Sequence, residues 1–214
     1  MTAGRKTRFF TGAGLLLLFT LWTLAIRFLD IQPIGPLGSA VGFATLNGFV
    51  HRLIGVHMGV YTLTDWLGLI PLVLAAGFAL LGLCQWIRRK SILKVDRDIW
   101  ILGIFYAVVM GLFLLFEGLE VNHRPVLMEG VLEASYPSST TMLALCILPT
   151  AAEQLRRRIP CRWLKVAAVA AIGLLTGVLV VGRIFSGVHW FTDIVGGALL
   201  SAGLVTLYHA AADV

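Results

Sequence analysis

The chain has 214 residues, 58% hydrophobic and only 13% charged, with a mean hydropathy of +0.90. That balance argues against an ordinary soluble domain and leaves room for about six membrane spans of roughly 20 residues each. The net charge of +6 sits in clusters beside apolar runs, not on one continuous basic surface, which argues against nucleic acid as a partner.

The first apolar span covers about 10–29, behind Arg5, Lys6 and Arg8. No small-x-small cleavage site follows it, so it reads as a retained helix and not a signal peptide. Residues 31–64 differ in kind. The run Gln32-Pro33-Ile34-Gly35-Pro36 breaks the chain, and 41–56 then alternates apolar and polar residues at helical spacing, interrupted by Asn47, His51 and Arg52. This predicts a helical segment at the outer membrane interface. His51 and His57 read there as polar-face residues rather than catalysts.

Further spans are expected at about 66–87, 99–116, 137–155, 163–181 and 189–210. A polar loop, 117–136, separates the third from the fourth. Basic clusters follow the second span (Arg88, Arg89, Lys90, Lys94, Arg97) and the fourth (Arg156, Arg157, Arg158, Arg162, Lys165). Such clusters in short loops mark the cytoplasmic side. The expectation is one all-α membrane domain over 1–214, with six transmembrane helices, an outer interfacial segment and both termini cytoplasmic. Most tryptophans fall near span ends, as an aromatic belt requires. Gly196, Gly197 and Gly203 read as helix-packing positions.

Cys84, Cys146 and Cys161 are odd in number and carry neither disulfide nor metal spacing. Glu117, Glu120, His123, Glu129 and Glu133 crowd the 117–136 loop, where solvated charges are the plain reading and a divalent-cation site the other. The expected cofactor and metal content is none.

The most informative stretch is Gly182-Arg183-Ile184-Phe185-Ser186-Gly187-Val188-His189-Trp190-Phe191-Thr192-Asp193. A helix beginning near His189 places it on one face with Asp193. A carboxylate holding one imidazole nitrogen frees the other as nucleophile or base. Arg183 adds a planar fork suited to phosphate oxygens. The same His-x-x-x-Asp also serves as a plain helix start, but ionisable residues in a membrane setting are costly and usually functional. With 117–136 and the start of the fourth span, this stretch falls on one side of the membrane.

Three segments together resemble the membrane branch of the type 2 phosphatidic acid phosphatase superfamily, whose pattern is K-x6-R-P, P-S-G-H and S-R-x5-H-x3-D. Arg124-Pro125 matches the first motif, with Glu117 in the lysine position. Pro137-Ser138-Ser139-Thr140 stands where the second is expected, with Thr140 in place of histidine. Arg183, His189 and Asp193 match the third. The resemblance implies that His189 attacks phosphorus to form a phosphohistidine and that Asp193 orients it. Arg124, Arg183 and the amides around Ser138 and Ser139 would hold the phosphoryl oxygens. Pro137, suited to a first helical turn, would place a helix amino end there.

The missing histidine corresponds to the family's general acid, a contribution of about 10² to 10⁴ in rate. Three readings follow: a lipid diphosphate (an isoprenoid carrier diphosphate, for example) whose phosphate leaving group needs no strong acid; a proton from His123, Glu117, Glu120 or Glu129; or a non-catalytic protein that binds a phospholipid head group. Small-anion transport is a weaker reading, since no pair of broken helices meets at mid-membrane. The expected setting is the bacterial cytoplasmic membrane with the site facing outward.

Overall fold

The computed structural model describes residues 3–212, and the helices dominate it. Long apolar runs fold as helices because each backbone N–H and C=O is then satisfied within the segment, as a lipid surrounding demands. They are α1 (Ala3–Phe28), α2 (Ala44–Ile54), α3 (Met58–Leu67), α4 (Leu69–Arg89), α5 (Arg97–Leu119), α6 (Ser139–Arg158), α7 (Arg162–Ser186) and α8 (Phe191–Ala212). Only isolated bridges of extended chain occur among the described residues.

Among the described residues, five helical stretches are long and apolar enough to cross a membrane: α1, α3 joined with α4, α5, α7 and α8. The sixth long helix, α6, is less apolar. It packs against α4, α5, α7 and α8, and buries Thr141, Thr150 and Gln154 among them, so much of its surface has no need to suit lipid.

Three boundaries differ from the sequence expectation. The second long helix begins at Met58 instead of about residue 66, because Gly68 keeps helical dihedrals (φ −63°, ψ −14°) and joins α3 to α4 without a break. Helix α7 runs on through Arg183 to Ser186, and α8 starts at Phe191, two residues after His189.

Helix α2 is tied down by polar groups that the apolar pattern does not reveal. The Asp30 carboxylate accepts from the Thr45 amide at 2.7 Å, satisfying a donor in the first turn of α2. Asn47, fully buried, donates to the Gly42 carbonyl and to Thr192 Oγ1, and its Oδ1 accepts from the Thr192 amide. One side chain of α2 thereby serves an amide in the first turn of α8. Close packing of α1 on α8 completes that wall.

The two ends of the bundle differ in charge. At one end Arg89 pairs with Asp96, Arg158 with Asp98 and Arg157 with Glu153, so two of the three basic clusters gather there. The other end holds the 117–138 loop, the start of α6 and the α7–α8 turn. An apolar cavity of about 490 Å³ opens between α4 and α5. It is lined by none of the motif residues.

Candidate active site

The α7–α8 turn depends on glycine. Gly187 closes α7 at φ +66°, and a β-carbon there would lie 1.9 Å from the Gly55 carbonyl oxygen. Only glycine meets both conditions. The His57 amide donates to the Ser186 carbonyl, which locks the turn against the start of α3.

Trp190 precedes α8, and Asp193, third in the helix, accepts from the Trp190 amide through Oδ2 at 2.9 Å. This is one half of a capping box. Asp193 is fully buried, and its Oδ1 faces Asn122 Nδ2 at 3.4 Å. The plain helix-start role and the catalytic-type placement therefore coexist in one carboxylate.

His189 is also buried, with Nδ1 3.1 Å from the Ser135 carbonyl and 3.9 Å from Asp193 Oδ2. The direct imidazole–carboxylate bond expected from four-residue spacing is not the closest contact. His189 lies before the helix, so helical i,i+4 geometry does not apply to it. The Ser135 carbonyl takes the Nδ1 hydrogen, and the carboxylate stands just beyond. That bond assigns the hydrogen to Nδ1 and leaves a lone pair on Nε2. Nε2 faces Arg124 Nη1 at 3.3 Å. Burial pushes the His189 pKa down to about 4; Asp193 opposes that push, while the charges of Arg124 and Arg183 add to it. The imidazole is neutral at physiological pH, as a nucleophile must be.

Arg124 reaches the site from a short hairpin-like loop. Its amide donates to the Glu133 carbonyl, and the neighbouring His123 carbonyl accepts from Trp190 Nε1 at 2.7 Å. Arg124 Nε lies 3.0 Å from Glu133 Oε2, an ion pair without hydrogen-bond geometry. Arg183, on the last turn of α7, is only 2% exposed. Its Nη2 donates to Asp65 Oδ1 at 2.8 Å and to Thr140 Oγ1 at 2.6 Å, and its guanidinium carbon sits 4.8 Å from the Tyr61 ring centroid. Its Nε and Nη1 have no hydrogen-bond partner among the described residues.

The second-motif residues divide. Ser138 is the N-cap of α6, and Pro137 precedes it, outside the first turn. The Ser138 amide, expected to hold a phosphoryl oxygen, is committed to the Asp193 carbonyl at 3.1 Å, and its hydroxyl accepts from Thr141. Ser138 ties α6 to α8. Ser139 instead lines a small cavity together with Glu117, Arg124, Ser135 and His189. Thr140 faces the other way, onto Arg183.

Glu117 thus stands beside the nucleophile-type imidazole. His123 and Glu120 pair with each other at 3.7 Å, and Glu129 sits at a turn with φ +51°. Among the described residues, no three His, Cys, Asp or Glu side chains gather closely enough to hold a metal ion.

Sequence reasoning missed Asp65, Tyr61, Asn122 and the Ser135 carbonyl. One signal pointed to Asp65: a single carboxylate between two strongly apolar stretches, in a setting where ionisable groups are costly. Backbone carbonyls and a buried asparagine leave no such trace. His51 packs against Trp190 with ring centroids 5.4 Å apart, on a second small cavity that also reaches His189.

The PAP2 superfamily profile matches residues 117–213. Comparison with curated proteins finds no match. Among solved structures, the chain is similar to the crystal structure of the first transmembrane PAP2 type phosphatidylglycerolphosphate phosphatase from Bacillus subtilis. The TM-score is 0.63 at 17% identity, covering 93% of each chain, a likeness that shows a shared fold.

Proposed function

We propose, from the PAP2 superfamily match over residues 117–213, that this chain hydrolyses a lipid-linked phosphate or diphosphate through a phosphohistidine on His189. The observation that carries the reading is the buried His189, with Nδ1 held by the Ser135 carbonyl, Asp193 just beyond, and Nε2 turned to Arg124.

Nε2 attacks phosphorus, forming the P–N bond as the P–O bond to the leaving group breaks. Arg124 and the unpartnered Nε and Nη1 donors of Arg183 take the equatorial oxygens, the electrostatic part of phosphoryl transfer. Water then attacks phosphorus, the P–N bond breaks, and inorganic phosphate departs as the imidazole returns to its neutral form. Ser139, at the amino end of α6, adds an amide on the same side. Thr140 cannot donate a proton as histidine would. A diphosphate, whose departing phosphate is a weak base, suits that arrangement. For a monophosphate, Glu117 is the placed carboxyl beside His189.

The reading includes six spans, with α6 as the sixth, both termini cytoplasmic, and the site facing outward across a bacterial cytoplasmic membrane. The basic clusters at the opposite end of the bundle support that orientation. Phosphate release from detergent-solubilised protein, measured across lipid monophosphates and diphosphates, tests it. Release that persists at full rate in His189→Ala would reject the mechanism. A second reading, a head-group binder without turnover, predicts saturable binding that survives His189→Ala but weakens in Arg183→Ala.

A further inference from the structure

We propose that Asp65 is a positioning residue of the phosphate site, acting through Arg183. The proposal rests on the phosphatase reading for its substrate, but not for its anion. Arg183 is buried in a helical bundle, where an unpaired guanidinium is costly. One corner of it is fully engaged. Nη2 meets Asp65 Oδ1 from α3 at 2.8 Å and Thr140 Oγ1 from α6 at 2.6 Å, and Tyr61 of α3 lies against the face. Two further donors, Nε and Nη1, are buried and have no acceptor among the described residues. A planar fork pinned at one corner and stacked on one face has a single orientation left. Nη2, which both two-donor edges of a guanidinium share, is taken, so Nε and Nη1 can each give a phosphoryl oxygen one charge-assisted hydrogen bond.

This arrangement also gives Thr140 a role. It is a second acceptor on Nη2, so the position where the family pattern has histidine serves here to hold arginine. Three helices converge on one guanidinium. The side chain of Asp65 is 60% exposed, so it closes Arg183 from the solvent side.

Two effects of Asp65 have opposite signs, which makes the proposal decidable. If it positions Arg183, removing it loosens the fork and weakens anion binding. If it merely neutralises Arg183, removing it raises the local positive potential and strengthens anion binding. The probe is inorganic phosphate, titrated calorimetrically into full-length, detergent-solubilised protein. Asp65→Ala should weaken binding roughly ten- to a hundredfold, the scale of a lost charge-assisted hydrogen bond. Asp65→Asn, isosteric and still carrying an acceptor oxygen, should fall between this variant and the parent and guards against a folding defect. In turnover, KM for the lipid phosphate should rise more than kcat falls. Unchanged or tighter phosphate binding in a folded Asp65→Ala overturns the proposal. Absence of lipid turnover in the parent protein, with anion binding intact, would count against the phosphatase reading alone.

Discussion

Thr140 Oγ1 accepts a hydrogen bond from Arg183 Nη2 at 2.6 Å, so the second motif ends on an arginine contact and not on an acid. The leaving group must then depart with little help from this side. Thr140→His should raise turnover of a lipid monophosphate by roughly tenfold, part of the range for a positioned acid, and that of a diphosphate far less. Steady-state kinetics on paired substrates decide this. Equal gains would remove the reason for preferring diphosphates.

The depressed pKa of His189 has two consequences. The free side chain titrates near 6.5 and the buried one near 4, so between these values the unfolded chain binds the extra proton. Stability therefore falls as pH drops through that window, by up to roughly 3 kcal/mol. A melting series from pH 7 to 4 should show that slope in the parent protein and a shallower one in His189→Gln. On the proposed mechanism, His189 stays unprotonated well into the acid range. Rapid-quench formation of phosphohistidine should hold from pH 8 to about 5, and a decline centred near 6.5 would contradict the buried, neutral imidazole.

Glu117 shares a cavity with His189 and Arg124, where the family pattern has a lysine. If its protonated carboxyl serves the leaving oxygen, Glu117→Gln should lower kcat on a lipid monophosphate by at least tenfold. p-Nitrophenyl phosphate, whose leaving group needs no proton, should be nearly unaffected. Equal losses on both substrates would assign Glu117 to binding instead.

Much of this was legible in the sequence because the signals are local. Hydropathy marks the long helices, and Arg124-Pro125 and Arg183 to Asp193 mark the loop and turn that meet at the site. What escaped depends on tertiary context. The polar residues Thr62, Thr64 and Asp65 hid the start of the second span, yet the helix reaches back through Gly68 to Met58. His189 and Asp193 have helical spacing, yet the histidine precedes the helix, and a backbone carbonyl of Ser135 takes its hydrogen. The Ser138 amide looked available at a helix amino end, but a carbonyl 55 residues later in the chain, that of Asp193, claims it. Periodicity reports which face is apolar, not which polar group a distant segment will satisfy.

Asn47 is such a case, and it yields the last prediction. Its side chain donates to the Gly42 carbonyl at 2.8 Å and to Thr192 Oγ1 at 2.9 Å, and accepts from the Thr192 amide at 3.2 Å. That amide lies in the first turn of α8, one residue before Asp193, so α2 holds the start of the helix that carries the catalytic-type carboxylate. Asn47→Ala leaves a buried carbonyl and a buried amide without partners, at a cost of about 1–3 kcal/mol for each group left bare. Melting in detergent should fall by several degrees. Asn47→Asp keeps the acceptor for the Thr192 amide but sets a buried carboxylate against the Gly42 carbonyl, and should melt at least as low. Because α8 positions Asp193 and the preceding turn, kcat should drop in Asn47→Ala even at temperatures where the variant is fully folded. An alanine variant that melts and turns over like the parent would show that α8 begins correctly without α2.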